Sequence, residues 1–424
     1  MSLYDKATIV QIPSGVKSGT LYNVLPNTAD GDFDFTRATT ATRVNKDGLI
    51  ESVASGVPRL NYPLTNGVVG SCPSLLLENL ATNEIDYSEN FSQWTNAGST
   101  DELDNSVVAP DGSSGVYKIA PDATNANHSM QKLNRTISGG TVVFSVFAKA
   151  GTERYVRLRM GNTTNNPRVW FDLQTGVVEN EDVSGSGSIE NYGNGWYRLI
   201  VTNTANVITS TTGQAQIFIQ SASSASTIQT SYTGDPNQHI YVWGAQFENS
   251  EHITSYIPTS GSAVTKNADQ CIGAGTSAEF NDSEGVLFIE MKALIEGEGT
   301  RAISISNSTT DERIMIRLTS TDGEVNFQVR TDVGGTPTNI VNAFRNITNT
   351  TQYNKIALKY KADDMALWAN GVELATPSGS STPTGLSELA FDDGNLGNRM
   401  YAEVKQVMVF NEALTDAELT TLTS

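Results

Sequence analysis

Side chains that separate onto two faces with a period of two mark the middle of the chain. In residues 141–150, Val142, Phe144, Val146 and Ala148 fall on one face, and Val143, Ser145, Phe147 and Lys149 fall on the other. In residues 155–160 the apolar side chains take one face, and Arg157 and Arg159 take the other. A period of two places successive side chains on opposite sides of a pleated strand. The pattern therefore predicts two strands, each with one face turned to a core.

Similar short apolar runs recur through the middle of the chain, with turn residues between them. They lie at residues 116–119, 169–173, 196–201, 216–220 and 240–243. Residues 184–188, a Ser/Gly run, are predicted to be a turn between two of these strands. Seven or more short strands at such spacing are typical of an antiparallel sandwich, so we predict a jelly roll over residues 85–265.

A second series of strands follows a polar linker. Its members are residues 285–293, 302–306, 313–318, 323–330, 354–360, 365–369, 372–374 and 404–410. Asn370-Gly371 has the residues of a tight hairpin turn. Thr415 and Glu418 form a capping box, which predicts a short helix at the C-terminus. Residues 266–424 are therefore predicted to form a second antiparallel β-sandwich, and the chain as a whole is all-β.

The first 84 residues are less regular and are taken as a third unit, residues 1–84. Residues 1–20 are predicted to be an extended arm. Asp47-Gly48 predicts a two-residue hairpin turn, because a type I′ turn needs positive φ at both central positions. Three units, 1–84, 85–265 and 266–424, thus account for the chain.

One carboxylate of the first unit is expected to be structural. Glu78 follows three leucines, so we expect it to be partly buried and to require a cation. Arg37 and Arg59 are interpreted as structural residues as well. A catalytic role for Glu78 is not our interpretation.

Composition and charge exclude several classes of protein. The net charge of −19 would repel a phosphate backbone, which argues against nucleic-acid binding. No apolar run of 18 residues occurs, so we expect no membrane insertion. Residues 1–12 lack the basic and apolar regions of a secretory signal. Cys72 and Cys271 are distant in sequence, and no disulfide is predicted.

Sugar binding is the function for which the sequence offers candidate residues. Aromatic faces stack on sugar C–H groups, and charged or amide side chains reach the hydroxyls. Trp196 and Trp243 lie within strand patterns and are interpreted as packing residues. The candidate glycan-binding residues are Trp94, Trp170, Arg157 and Arg159.

The sequence gives no catalytic or metal-binding residues. His128, His239 and His252 show no metal-ligand spacing, and no nucleophile, phosphate-binding or dinucleotide motif occurs. A glycosidase needs two carboxylates flanking the bond. The adjacent pairs that could be offered are interpreted as turn residues: Asp363, Asp364, Asp392 and Asp393. We therefore do not expect an enzyme.

Several motifs resemble fibre and spike proteins of tailed bacteriophages. The N-terminal motifs are TRATTAT at 36–42, DGLI at 47–50, PRL at 58–60 and SLLLE at 74–78. The central motifs are FSVFAKAG at 144–151, WFDL at 170–173, YGNGWYR at 192–198, WGAQFE at 243–248 and SYIPT at 255–259. The resemblance implies an N-terminal virion module followed by a jelly roll like that of carbohydrate-binding modules.

The C-terminal unit resembles a second family. Its hairpins, last strand and NEALTDAE at 411–418 are similar to concanavalin A-like (laminin-G-like) domains. Such domains often bind glycans, sometimes through calcium. The resemblance would allow a structural calcium ion, but no carboxylate-rich run assigns one, so we predict no cofactor.

These resemblances imply a virion protein, a head or tail fibre or spike that binds host-surface polysaccharide without cleaving it. The expected partners are the chain itself, as a homotrimer, and other capsid or tail proteins. The expected location is the virion surface, after synthesis in the bacterial cytoplasm and release by lysis. Two alternatives stay open: an architectural decoration protein without glycan binding, and a polysaccharide depolymerase.

Overall fold

The computed structural model describes residues 2–138, 140–161, 166–182, 184–203, 211–220 and 231–424. Within these residues the fold is all-β and its named strands pair antiparallel, which confirms the predicted class. Its α-helices are α1 (Leu3–Lys6) and α2 (Asp416–Thr423), and short 3-10 turns lie at Ala29–Gly31 and Phe91–Gln93.

The strands are numbered in chain order. Those before residue 85 are β1 (Ile9–Gln11), β2 (Val16–Lys17), β3 (Thr20–Leu21), β4 (Phe33–Thr36), β5 (Ala41–Val44), β6 (Ile50–Val53), β7 (Arg59–Asn61), β8 (Leu64–Thr65), β9 (Val68–Val69), β10 (Ser74–Leu77) and β11 (Ala81–Asn83). The central strands are β12 (Thr95–Ala97), β13 (Ser99–Val108), β14 (Ser114–Pro121), β15 (Asn125–Ala126), β16 (Ser129–Thr136), β17 (Val143–Ala150), β18 (Tyr155–Gly161), β19 (Arg168–Asp172), β20 (Val177–Glu181), β21 (Gly185–Gly193), β22 (Trp196–Asn203), β23 (Thr212–Gln220), β24 (Tyr232–Thr233) and β25 (Ile240–Glu248). The remaining strands are β26 (Val264–Lys266), β27 (Gln270–Ile272), β28 (Glu284–Ala293), β29 (Arg301–Ser306), β30 (Arg313–Leu318), β31 (Glu324–Asp332), β32 (Pro337–Asn346), β33 (Asn354–Lys361), β34 (Ala366–Ala369), β35 (Val372–Ala375), β36 (Glu388–Ala390) and β37 (Ala402–Phe410).

The central sandwich consists of two six-stranded sheets. One has the order β12-β16-β23-β18-β19-β20, and the other has the order β13-β14-β25-β17-β22-β21. Side chains at alternate positions of both sheets meet in a shared core, where Val146, Leu158 and Phe171 are fully buried. Burying each such side chain stabilises the fold by about 1.5–3 kcal/mol. The predicted alternation is therefore the origin of this core.

The Ser/Gly run at 184–188 is a strand, so the predicted turn there is wrong. Residues 185–188 begin β21 and pair with β22 in continuous register. A Cβ atom on Gly187 would overlap the side chain of Val169 on β19, so only glycine lets β21 approach the opposite sheet so closely. The glycine at this position therefore serves close packing between strands and does not mark a turn.

The second sandwich has a five-stranded sheet, β32-β31-β30-β29-β36, and a larger sheet built around β37. The larger sheet has the order β35-β34-β33-β28-β37-β10-β7. The core between the two sheets contains Leu287, Ile303, Phe327 and Leu358, all fully buried.

Strands from the beginning of the chain complete this second sandwich. β1 and β10 both pair with β37, with Ile9 opposite Val409 and Leu75 opposite Val404. β4 similarly pairs with β27. Residues 1–84 therefore share sheets with residues 266–424. A division of the chain into consecutive units at 84 and 265 does not describe this pairing.

The two predicted hairpin turns have different outcomes. Asn370-Gly371 joins β34 and β35 with φ values of 51° and 79°, which confirms the tight turn. The two-residue turn at Asp47-Gly48 is wrong, because Val44 pairs with Ile50 and leaves a five-residue loop. The Asn45 side chain organises that loop by accepting hydrogen bonds from the N–H groups of residues 47 and 49.

The C-terminal helix has the predicted cap. The Thr415 hydroxyl accepts the N–H of Glu418, and the Glu418 carboxylate accepts the N–H of Thr415 at 2.9 Å. Leu414 and Leu419 are buried in one cluster with Trp368 on the outer side of the β37 sheet. The cap therefore fixes a helix that covers this face of the second sandwich.

A buried ionic network joins residues of the first unit to the linker between the sandwiches. Arg59, fully buried, donates to Glu78 at 2.7 Å, to the Ser255 hydroxyl at 2.8 Å and to Asp269. Arg37 donates to the other oxygen of Asp269 at 3.1 Å. The predicted partnership of Glu78 with a cation is thus confirmed, and the carboxylate is 3% exposed.

An aromatic cluster packs on the outer face of the β17 sheet. Trp196 and Trp243 are each 2% exposed there, which confirms their interpretation as packing residues. The Trp243 ring lies 4.7 Å from that of Tyr256, and Ile50 of β6 belongs to the same cluster. This cluster holds the β5–β6 hairpin against the central sandwich.

Both cysteine thiols are free; Cys72 is exposed and Cys271 is buried. Across the described ranges, no helix is long and apolar enough to cross a membrane.

Candidate functional site

Three of the four predicted site residues lie together on the outer face of the β18 sheet. The register of β18 with β19 sets Arg157 opposite Trp170 and Arg159 opposite Arg168. Since the residues between them point into the core, these four side chains share the other face.

Strand β23 extends both rows on the other side of β18. Phe218 lies opposite Arg157, and Gln216 lies opposite Arg159. We call the resulting two-row surface the arginine face. Its members are Arg157, Arg159, Arg168, Trp170, Gln216 and Phe218.

The first row is an arginine between aromatic rings. The Arg157 guanidinium lies 3.9 Å from the centre of the Phe218 ring and 5.7 Å from that of Trp170. Arg157 and Trp170 are 3% and 5% exposed, so these side chains lie beneath the arginine face and support it. Burial, with the charges of Arg168 and Arg159, lowers the pKa of Arg157 to about 10.

In the second row Arg159 and Arg168 are partly exposed, whereas Gln216 is buried, and amides connect the row. Arg159 donates through Nη1 to Gln216 Oε1 at 3.0 Å, and Gln216 donates in turn to Gln131 at 2.7 Å. The Nε of Arg159 has no acceptor among the described residues. Burial, followed by the charge of Arg168, lowers the pKa of Arg159. Donor capacity is therefore left over in this row.

Little negative charge compensates the second row. Arg168 lies 3.8 Å from Asp182, with 24% of its side chain exposed. Arg159 makes no ion pair within the part of the chain that the structure describes. In a chain of net charge −19, two adjacent arginines with one carboxylate nearby form an unusual positive patch. Such a patch can hold an anionic group.

Trp94 lies elsewhere, just before the edge strand β12. It is 6% exposed, packs 4.9 Å from the Phe91 ring and donates its indole N–H to the Tyr87 carbonyl at 3.0 Å. The structure therefore places Trp94 in the core of the central sandwich and apart from the arginine face.

Sequence reasoning did not select Arg168, Gln216 or Phe218. The signal was available in part, because Gln216 and Phe218 have the polar-face phase of β23 and Arg168 precedes Trp170 by two residues. What could not be read from that phase was which strand lies beside β18.

No metal centre is formed by the residues that the structure describes, where no three His, Cys, Asp or Glu side chains cluster suitably. Asp392 and Asp393 accept backbone N–H groups of Gly394 at 2.7 Å and Gly397 at 3.0 Å, which confirms them as turn residues. Asp363 has a positive φ of 61° in its turn, and Asp364 accepts from Lys359 at 2.7 Å.

No family model and no curated protein matches the chain. Among solved structures, the CBM40 module of a Ruminococcus gnavus IT-sialidase is 19% identical, with a TM-score of 0.30, covering 36% of this chain and 92% of that one. A leech intramolecular trans-sialidase is 23% identical, with a TM-score of 0.29, covering 34% of this chain and 23% of that one. Domains LG4-5 of the mouse laminin alpha1 chain are 9% identical, with a TM-score of 0.22, covering 70% and 88%. Because each TM-score is below 0.5, these likenesses do not define the function of the chain.

Proposed function

We propose that the chain is a non-catalytic glycan-binding protein and that the arginine face binds the anionic group of an acidic sugar. The observation that carries the proposal is the direct register of Arg159 with Arg168, two adjacent guanidinium groups near a single carboxylate. A guanidinium fork matches the two oxygens of a carboxylate, so two such forks favour a carboxylated sugar over a neutral one.

The rest of the arginine face supplies the other elements of a sugar site. Gln216 and Gln131 form an amide pair beside Arg159, and amides pair with sugar hydroxyls. Arg157, held between Phe218 and Trp170, adds positive potential from below the surface. We assign the direct contacts to Arg159 and Arg168, and positioning roles to Arg157 and Trp170.

We further propose that the chain acts on a bacteriophage virion as a head or tail fibre or spike. The motif resemblance in the first unit and along the central sandwich supports this role. The proposed partners are other capsid or tail proteins, two further copies of the chain and host-surface polysaccharide. Light scattering of the purified chain would measure a trimer's mass if the oligomer is as proposed, and a monomer's mass if it is not.

Binding to matched acidic and neutral glycans tests the proposal. The purified chain would be applied to an array carrying trigalacturonate, its methyl ester, sialyllactose and lactose. Binding to an acidic member and not to its neutral counterpart is expected. Arg168→Gln should abolish that binding. Arg330→Gln is the matched control, because Arg330 has a similar exposed fraction (28%) and a similarly long ion pair of 3.5 Å.

Other outcomes identify the alternatives. Equal binding to both members of each pair would contradict an acidic ligand. An absence of binding throughout would favour an architectural decoration protein. Release of reducing ends from the bound glycan, measured in the same sample, would contradict the non-catalytic part of the proposal.

A further inference from the structure

A cleft separate from the arginine face lies where the two sandwiches meet. It comprises two adjoining cavities of about 250 Å³ and 480 Å³. Both cavities are lined by side chains of the two sandwiches and of the first unit. The shared lining residues are Val44, Asn61, Glu190, Tyr192, Lys292 and Glu403. We call this the junction cleft.

Most charges of the junction cleft are already paired. Lys292 lies 3.2 Å from Glu403, which also accepts the Tyr353 hydroxyl at 2.7 Å. Glu78 is held by Arg59 at 2.7 Å. The paired groups need no charged ligand, so the remaining groups decide what the cleft can bind.

Glu190 and Arg198 are the exceptions. They lie directly opposite each other on β21 and β22, which places both on the face that lines the cleft. No ion pair joins them among the described residues. Arg198 instead donates through Nε to the Ser145 hydroxyl at 3.2 Å, with its guanidinium over the Phe147 ring.

Both of these side chains have unused hydrogen-bonding capacity. Arg198 is 4% exposed, and its Nη2 has no acceptor in the described part of the chain. Glu190 is exposed to the cleft, and partial desolvation there raises the pKa of its carboxyl. The charges of Arg198 and Lys292 oppose that rise. An acceptor and a donor therefore face the same space without meeting.

We propose that the junction cleft binds a neutral sugar unit, with neighbouring hydroxyls bridging Glu190 and the Arg198 side of the cleft. A vicinal diol donates to a carboxylate and accepts from a guanidinium, which is the pairing that these two residues lack. The negative charge of Glu190 is offset by the nearby charges of Arg198 and Lys292, so an anionic ligand gains nothing there. Tyr192 and Asn61 supply an aromatic edge and an amide.

This site does not rest on the arginine face, and the two are separable by experiment. Saturation-transfer NMR would be recorded on the full chain with maltose, lactose and cellobiose as probes. Transfer to at least one of them is expected, at a level that excess trigalacturonate does not reduce. Glu190→Gln should weaken that sugar's binding by about tenfold, since a hydrogen bond to a charged group is lost.

A second variant and two controls complete the test. Leu294→Trp should block the cleft without changing Glu190, because Leu294 lines the same cavity. Glu373→Gln, at an exposed position on β35, and Arg159→Gln, on the arginine face, should both bind normally. No transfer from any of the three sugars, or transfer unchanged in both Glu190→Gln and Leu294→Trp, would overturn the proposal.

Discussion

Replacement of Arg59 should destabilise the chain more than replacement of any exposed arginine. Arg59 is fully buried and donates to Glu78, Thr42, Ser255 and Asp269. Arg59→Met retains most of the side-chain volume but leaves two buried carboxylates with fewer donors. The substitution therefore isolates the loss of pairing from the creation of a cavity.

The expected cost follows from what remains around the two carboxylates. Removing one partner of a buried ion pair costs about 3–5 kcal/mol. Lys266 still lies 3.4 Å from Glu78, and Arg37 lies 3.1 Å from Asp269, so some compensation persists. We therefore expect a loss near the lower end, about 3 kcal/mol in the free energy of unfolding.

Urea-induced unfolding at neutral pH, followed by tryptophan fluorescence, would measure this loss. Arg43→Met is the matched control, because Arg43 pairs with Glu51 at 2.8 Å but 23% of its side chain is exposed. Exposed pairs contribute about 0–1 kcal/mol. If Arg59→Met cost no more than Arg43→Met, the network would not be what joins the first unit to the linker.

Three further predictions address pH, packing and capping. Burial alone would raise the pKa of Glu78, but Arg59 and Lys266 hold that pKa well below its ordinary value of 4.5. Because a lowered carboxyl pKa stabilises the fold at pH values above 4.5, the free energy of unfolding should fall as the pH drops below that value. Glu78→Gln should flatten this dependence in unfolding curves recorded across acid pH. Trp94→Ala should cost about 3–5 kcal/mol in urea unfolding, because Trp94 is a core residue. Glycan binding by the folded fraction should stay unchanged. Weakened binding would instead place Trp94 in the glycan site. Thr415→Ala should cost about 1 kcal/mol in the same assay through loss of the helix cap, whereas the exposed Thr420→Ala should cause no loss, because alanine favours the helix more than threonine does.

The alternation of side chains along the sequence predicted the face of a strand on which a residue lies better than it predicted which strands pair. Arg157 and Arg159 were placed on one face by the period of two, and the structure confirms that placement. The pairing of β1 and β10 with β37 joins residues more than 300 positions apart, and no local pattern encodes it. For the same reason the arginine face was predicted only in part, because Arg168 and Phe218 come from neighbouring strands.

Aromatic residues show a second limit of sequence reasoning. Trp94 and Trp170 were both selected as candidate site residues, yet Trp94 lies in the sandwich core and Trp170 supports the arginine face. Trp196, predicted to be a packing residue, packs against the β5–β6 hairpin. Which role a tryptophan takes depends on what lies over its strand. By contrast, the Thr415 cap and the Glu78 ion pair were predictable, because each follows from a local chemical need.

The most direct test of the proposed function is a calorimetric titration of the intact chain with trigalacturonate and with its methyl ester, repeated for Arg159→Gln and Arg168→Gln. The acid is expected to bind at least about tenfold more tightly than the ester, because a charge-assisted pair with an arginine is lost in the ester. Either substitution should remove that difference. Equal affinity for acid and ester, or a preference for the acid that survives in both variants, would contradict the assignment of the arginine face as an acidic-glycan site.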